Sequence, residues 1–173
     1  GDCFIHVHDI DYLVPVDEPL IEFPLAEPDD VTREIGQYIA GLIEDGATLE
    51  LGIGRIPQAV LEYLNDKKDI GIHTEMLTDS IIESIEKGII TGKRKTLDRG
   101  KIVASFAMGT QKLYKYLDNN PDFAFYPTEY VNDPFVISQQ NKMVAINVAL
   151  EVDLTGQVCA DSMGSKFYSG IGG

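Results

Sequence analysis

Residues 51–80, LGIGRIPQAVLEYLNDKKDIGIHTEMLTDS, constrain the fold of this chain more than any other stretch. An apolar run ends at Gly52 and Gly54, a helical pattern follows from Pro57, and a second apolar run, IGIH, comes before Glu75. Glycine permits a sharp turn after a strand, and proline suits the first turn of a helix. This order of strand, turn, helix and strand predicts two parallel strands joined by a crossover helix.

The same alternation continues on both sides of this stretch. A helix is predicted before it, because Asp29 or Asp30 can cap its first turn and Gly46 stands where it ends. Further helices are predicted in DSIIESIEKG and GTQKLYKYLDNN, and strands in KIVASFAM and FAFY. We therefore predict an α/β fold, an open and mostly parallel sheet with helices on both faces. After Pro134, NKMVAINVALEVDLTGQVCADS predicts a later β-hairpin-like segment that turns at DLTG.

Prolines and acids are concentrated in PLAEPDD, residues 24–30, which predicts a linker and a domain boundary near Pro28. The chain does not begin with methionine and it stops abruptly at SGIGG. We therefore expect it to be a piece of a longer protein.

The charge of the chain excludes several classes of partner. Its 14 Lys and Arg residues against 28 Asp and Glu residues give a net charge of −14, whereas nucleic acids and anionic membranes require a basic surface. The longest apolar runs are far shorter than the roughly 20 residues of a membrane helix. Cys3 and Cys159 are too few for a disulfide framework. We expect a soluble, cytoplasmic protein with no nucleic-acid or membrane partner.

The glycine turn predicts a place where backbone N–H groups meet a ligand at the start of a helix. An anion or a polarised carbonyl group would bind there. A dinucleotide site is one alternative, but its fingerprint requires a third glycine where this sequence has Pro57. A purely structural turn is the other alternative.

Glu75 is the first candidate for a catalytic residue. In open parallel sheets, ligands bind beyond the carboxyl ends of the strands, so we predict that Glu75 and the Gly52 turn face one crevice. A carboxylate opposite backbone donors is suited to be a nucleophile or a general base. An acid that merely stabilises the start of the next helix is the alternative. Glu151 is a rival nucleophile, because it also lies in a predicted apolar strand.

Five segments in order carry a resemblance to a known family: LGIGRIP, the glutamate of GIHTEM, MGTQKLY, AINVALEVDLTGQVCADS and the final SGIGG. Together they resemble the acetyl-CoA hydrolase/transferase family, and within it the 4-hydroxybutyrate and butyrate-type CoA-transferases. The resemblance implies an α/β fold of the CoA-transferase type. It also implies that residues 28–173 are the start of the C-terminal domain, truncated at its end. Residues 1–27 would be the tail of a preceding N-terminal domain and its linker.

The resemblance also implies an activity. The enzyme would move CoA between a short-chain acyl-CoA (acetyl, butyryl or 4-hydroxybutyryl) and a free carboxylate, through an anhydride and a glutamyl-CoA thioester on Glu75. Coenzyme A is then a substrate, and no permanently bound cofactor is expected. An acetyl-CoA hydrolase of the same family and a non-catalytic nucleotide-binding domain remain alternatives. The intact protein is expected to be a homo-oligomer, and the isolated chain is expected to be weakly active or inactive.

Further residues of the site are implied by their positions relative to the family motifs. A CoA-contacting loop is implied at Gly52, Ile53, Gly54, Arg55 and Ile56, and a second one at Gly170 and Gly173. Asn147 and Leu150 are expected to line the same crevice, although Asn147 also suits a hydrogen-bonded core position. The basic segment TGKRKTLDRGK is either a solvated loop or a binding site for CoA phosphates. His6, His8 and His73 lack the spacing of a metal site, and no metal is expected.

Overall fold

The computed structural model describes residues 2–170. Residues 2–29 contain one regular element, a 3-10 turn at Val7–Asp9. The helices that follow are α1 (Asp30–Leu42), α2 (Arg55–Glu62), α3 (Ile81–Glu86), α4 (Gln111–Leu117), α5 (Thr128–Val131) and α6 (Pro134–Ser138). The strands are β1 (Thr48–Leu51), β2 (Gly71–Leu77), β3 (Ile102–Ala107), β4 (Phe123–Phe125), β5 (Met143–Ile146), β6 (Glu151–Val152), β7 (Val158–Cys159), β8 (Ser162–Met163) and β9 (Lys166–Phe167). No helix among the described residues is long and apolar enough to cross a bilayer.

The first five strands form one sheet in the order β4-β3-β2-β1-β5, and every neighbouring pair is parallel. The predicted parallel sheet is therefore confirmed. The late hairpin is also found, but β6 and β7 have only two residues each. The preceding apolar run instead forms β5, which joins the main sheet beside β1.

One face of the sheet carries the main core. Helices α1 and α2 pack closely there, because Gly36 of α1 has no side chain: a Cβ atom at this position would lie 2.8 Å from the Cβ atom of Ala59. Asp29, one of the two predicted caps, precedes α1 as its N-cap, since its Oδ1 atom accepts a hydrogen bond from the Thr32 N–H (2.9 Å). The buried side chains of this core come from β1, β2, β3 and β5, from α1 to α4 and from the segments between them, and include Leu49, Ile72, Ala104, Val60, Ile82 and Leu113.

The opposite face is more polar. Thr48 pairs with Gly71 and His73 pairs with Val103, so the alternation of side chains along each strand puts Glu50, His73, Glu75 and Ser105 on this face. We call it the polar face. Short helix α5 covers part of it through a second, smaller core of Val103, Ala124 and Val131. Helices therefore lie on both faces, as predicted. Neither α5 nor α6 was predicted, because four or five residues give no helical period.

The basic segment before β3 contains a buried lysine. Lys95 is fully buried, and its Nζ atom donates a hydrogen bond to the carbonyl oxygen of Lys101 (3.0 Å). Its stem lies against β2, where a Cβ atom on Gly71 would be 2.5 Å from the Lys95 Cγ atom. Burial lowers the pKa of Lys95 to about 8, and the charge of Asp98 opposes this shift. The Lys95 side chain is therefore neither solvated nor exposed for contact with a CoA phosphate.

We expect Lys95→Met to stabilise the intact protein that carries this chain by about 1–3 kcal/mol at pH 7, because a shift of one pKa unit corresponds to about 1.4 kcal/mol. The unfolded state binds more protons than the folded state between about pH 8 and 10.4, so Lys95 makes stability rise with pH in that window. Lys95→Met should remove this rise. The raised pKa of Tyr126 and of Tyr130, caused chiefly by burial, opposes the rise above about pH 10.

Urea unfolding at pH 7 and pH 9.5 measures both effects. Lys93→Met is the matched control, since Lys93 is exposed in the same segment. A Lys95→Met protein that keeps the wild-type rise between these two pH values would show that the cost of burying Lys95 is not what we infer.

Candidate active site

Glu75 is half-buried on the polar face. It lies inside β2, two residues before the strand ends at Leu77, and not beyond the strand end as the sequence suggested. The strand is longer than IGIH because β3 continues to pair with it, up to the partners Leu77 and Ala107. The carboxylate nevertheless lies in the C-terminal half of a central parallel strand, which is the part of such sheets that ligands approach.

Asn132 is the residue that contacts the Glu75 carboxylate. It follows α5 as its C-cap, and its Nδ2 atom donates a hydrogen bond to Glu75 Oε2 (2.9 Å). The other carboxylate oxygen, Oε1, accepts no hydrogen bond from residues 2–170. One oxygen is therefore held while the other is available to a ligand. Sequence reasoning missed Asn132, because it is 57 positions from Glu75 and no local pattern connects them.

A second carboxylate, Glu50, lies on the neighbouring strand β1 and on the same face. Asn147 donates a hydrogen bond from Nδ2 to Glu50 Oε2 (2.8 Å). Burial raises the pKa of Glu50, and the charge of Glu75 raises it further, while the hydrogen bond from Asn147 opposes the shift. Two acids therefore share this part of the sheet. The sequence signal was available: Glu50 interrupts the apolar strand TLEL.

Ser105 occupies the position opposite Glu75 on β3, between the paired residues Ala104 and Phe106. Its hydroxyl oxygen is buried and forms no hydrogen bond among the described residues. Together with Asn132 it adds a polar atom beside the carboxylate.

The glycine turn joins β1 to α2 as predicted, but α2 begins at Arg55, two residues before Pro57. The N–H of Gly52 donates to the carbonyl oxygen of Ile146 (2.9 Å), so it is not available to a ligand. The N–H groups of Ile53 and Gly54 form no hydrogen bond within residues 2–170 and are the available donors of the turn. Gly54 has φ 127° and ψ −178°, a conformation that is essentially restricted to glycine.

Gly52 also brings Asn147 to the site. A Cβ atom at Gly52 would lie 2.9 Å from Asn147 Oδ1 and 3.1 Å from the carbonyl oxygen of Ile146, so glycine permits this close approach. The structure thus places Asn147 beside both the turn and Glu50. Asn147 is exposed, so the alternative of a core asparagine is wrong.

The remaining predicted residues are more dispersed. The Arg55 guanidinium forms an exposed ion pair with Asp29 (2.8 Å), and Ile53 is exposed beside it in the turn. Leu150 lies at the base of the β6–β7 hairpin, where its N–H donates to the carbonyl oxygen of Cys159. Four further residues complete the set: Ile56 lies in the first turn of α2, Glu151 is exposed in β6, Gly170 is exposed after β9, and Gly173 lies outside the described residues.

The arrangement provides the parts of a nucleophilic site. Glu75 supplies a carboxylate with one oxygen held by an amide, and the turn supplies two backbone donors that have no partner in the part of the chain that the structure describes. Such donors can stabilise an oxyanion that forms on an attacked carbonyl group.

Known proteins resemble this chain along its whole length. Residues 109–173 match the acetyl-CoA hydrolase/transferase C-terminal domain. All 173 residues align, with 53% identity, to a 4-hydroxybutyrate coenzyme A transferase of Clostridium kluyveri, of which the chain covers 40%.

Solved structures show the same similarity. A 4-hydroxybutyrate CoA-transferase from Porphyromonas gingivalis superposes with a TM-score of 0.86 and 48% identity, over 89% of this chain and 39% of that one. RipA from Yersinia pestis superposes with a TM-score of 0.86 and 42% identity, over 91% of this chain and 36% of that one. The chain thus spans about 40% of the length of the curated relatives that it matches.

Proposed function

Because this chain belongs to the acetyl-CoA hydrolase/transferase family, we propose that the intact protein that carries it is a CoA-transferase. It moves CoA between a short-chain acyl-CoA and a free carboxylate, with Glu75 as the nucleophile. The observation that supports this most strongly is the contact between Glu75 Oε2 and Asn132 Nδ2, which leaves the second oxygen of a half-buried carboxylate without a hydrogen bond among the described residues.

The proposed reaction, which the family resemblance implies, has two stages. Glu75 Oε1 attacks the thioester carbonyl, the C–S bond breaks, and a glutamyl-acyl anhydride and CoA thiolate form. The thiolate then attacks the glutamyl carbonyl, which releases the first carboxylate and leaves a glutamyl-CoA thioester. An incoming carboxylate reverses these steps and leaves as the new acyl-CoA, so no net proton or electron transfer is required. A carboxylate suits this role because its activated forms are about as reactive as the substrate.

The surrounding residues have separate tasks in this scheme. Asn132 orients the carboxylate, and the N–H groups of Ile53 and Gly54 stabilise the oxyanions of both stages. The turn at residues 52–56, with Asn147, Leu150 and the glycines at 170 and 173, contacts CoA. Burial raises the pKa of Glu50, and the neighbouring Glu75 raises it further.

The acyl group is a short one: acetyl, butyryl or 4-hydroxybutyryl. The relative from Clostridium kluyveri and the structure from Porphyromonas gingivalis are both named for 4-hydroxybutyrate, which supports this class. We also propose that residues 28–173 begin the C-terminal domain of a cytoplasmic homo-oligomer. Hydrolysis of acetyl-CoA is the alternative, because it shares the first acyl-enzyme step and differs in whether water reaches the intermediate.

We expect the intact protein to form acetyl-CoA from butyryl-CoA at a rate that depends on added acetate. Without acetate, release of CoA should fall to a small fraction of that rate. The measurement is a chromatographic assay of both CoA species with and without acetate. Release of CoA that ignores acetate would support the hydrolase instead. Calorimetry with CoA and NAD tests the non-catalytic alternative, since a preference for NAD would contradict a CoA site.

A further inference from the structure

We propose that His73 and Asp98 are positioning residues that hold α5 so that Asn132 stays in contact with Glu75. This inference rests on the proposed role of Glu75 as the nucleophile. It concerns residues that do not contact the carboxylate themselves and act on it through α5 and Asn132.

Helix α5 needs such support because it has only four residues, Thr128–Val131. Isolated helices of this length are not stable in water, so tertiary contacts must fix the position of α5. Asn132 is its C-cap, and the Asn132 N–H donates to the carbonyl oxygens of Thr128 and Tyr130. The backbone of Asn132 therefore moves with the helix, and its side chain moves with it.

His73 provides the first anchor. Its Nε2 atom donates a hydrogen bond to the carbonyl oxygen of Val131 (2.8 Å), and a carbonyl acceptor requires the proton to be on Nε2. The ring is buried, with 1% of its surface exposed, and burial lowers the pKa of His73, which favours the neutral ring. The Val131 side chain is also buried, against Val103 and Ala124. This anchor holds the residue immediately before Asn132.

Asp98 provides the second anchor, from the segment before β3. Its Oδ2 atom accepts a hydrogen bond from the Tyr130 hydroxyl (2.9 Å), and its Oδ1 atom accepts one from the Tyr126 hydroxyl (3.2 Å). Hydrogen bonds to an ionised carboxylate are stronger than those between neutral groups. Of the two tyrosines, Tyr130 belongs to α5, whereas Tyr126 follows β4 and lies outside the helix.

The His73 anchor and the nucleophile belong to one closed ring of contacts. His73 and Glu75 project from the same face of β2, two residues apart. His73 holds Val131, Val131 is bonded to Asn132, and Asn132 holds Glu75. One strand therefore supports both ends of the arrangement. A misplacement of about 1 Å at a reacting group can cost roughly 10²-fold in rate, so this support has kinetic consequences.

The test compares Tyr130→Phe with Tyr126→Phe in the intact protein. Each variant removes one hydroxyl that donates to Asp98, but only Tyr130 lies on α5. We expect Tyr130→Phe to lower kcat about tenfold with little change in KM for acyl-CoA, which is the pattern of a lost transition-state interaction. Tyr126→Phe should keep kcat within about twofold. Equal kcat values for the two variants would overturn the role of Asp98.

A double-mutant cycle tests whether the anchors act through Asn132. We expect Asn132→Ala to lower kcat about 10²-fold, and His73→Leu to lower it about tenfold in the wild-type background. Neither His73→Leu nor Tyr130→Phe should lower kcat further in the Asn132→Ala background, because their effect is already lost. Additive losses, or a lower melting temperature with wild-type kcat, would mean that the anchors only stabilise the fold.

The same experiment separates this inference from the proposed function. If the wild-type protein transfers CoA through Glu75 but the kcat losses of the variants are additive, the role of the anchors is overturned and the proposed function stands. Wild-type protein that forms no covalent intermediate on Glu75 overturns both.

Discussion

Glu75→Gln is expected to lower CoA-transferase turnover by at least about 10⁴-fold in the intact protein, the scale on which enzymes lose rate when the nucleophile is removed. The amide is a far weaker nucleophile than the carboxylate and cannot form the anhydride. It has nearly the same size, and its carbonyl oxygen can still accept the hydrogen bond from Asn132, so the fold should be retained. The measurement is the rate of acetyl-CoA formation from butyryl-CoA and acetate.

Two matched substitutions accompany this variant. Glu151→Gln should keep the wild-type rate within a few-fold, because Glu151 is exposed in the short hairpin. Glu50→Gln should also keep most of the activity, since glutamine can accept the same hydrogen bond from Asn147 and matches the neutral form that burial favours. A Glu50→Gln protein as inactive as Glu75→Gln would indicate that the two acids act together as the catalytic group.

Gly54→Ala is expected to lower kcat by about 10²-fold or more, which is the cost of losing one oxyanion donor. The expected loss comes from the backbone conformation of Gly54, φ 127° and ψ −178°. It does not come from a clash, because no atom of residues 2–170 lies within 4 Å of a Cβ atom added there. Alanine cannot adopt this conformation without strain of about 1–3 kcal/mol, so the turn must rearrange. The N–H groups of Ile53 and Gly54 would then leave the positions that we assign to the oxyanion site.

Gly88→Ala is the control for backbone strain. Gly88 also has a positive φ, 71°, and an added Cβ atom there would meet nothing within 4 Å. It follows α3, away from the residues of the proposed site. We expect a loss of stability of about 1–2 kcal/mol with unchanged kcat. Stability is measured by urea unfolding and kcat by the transfer assay. Equal kcat values for the two variants would show that the turn at Gly54 has only a structural role.

The order of strands and helices was predictable because short local patterns in the sequence indicate each element. Apolar runs, glycines and prolines between Leu51 and Ser80 predict the first crossover, and Asp29 predicts the start of α1. The strand length was underestimated because pairing with β3, and not the composition of β2, carries that strand to Leu77. This is a tertiary effect that a single segment does not reveal.

The candidate site was less accessible to sequence reasoning. Glu75 has a family motif around it, but Asn132 contacts it from a four-residue helix that has no helical pattern of its own. The sequence predicts Lys95 only as part of a basic segment, whereas its stem fills the space beside Gly71 and its ammonium group is buried. The sequence indicates only that His73 lacks the spacing of a metal site, whereas in the structure its ring donates a hydrogen bond to a backbone carbonyl oxygen. Each of these roles depends on contacts between residues that are far apart in the chain.

The mass of the peptide that contains Glu75 tests the central claim most directly. The intact protein is incubated with acyl-CoA in the absence of an acceptor acid and then digested with trypsin, which separates residues 69–87 from the peptides that contain Glu50 and Glu151. We predict a CoA-sized increase in mass on the 69–87 peptide, localised to Glu75 by fragmentation and converted to an alcohol by borohydride. A CoA-sized mass increase on the peptide that contains Glu50 or Glu151 would contradict the account. So would an active enzyme in which no peptide shows the increase.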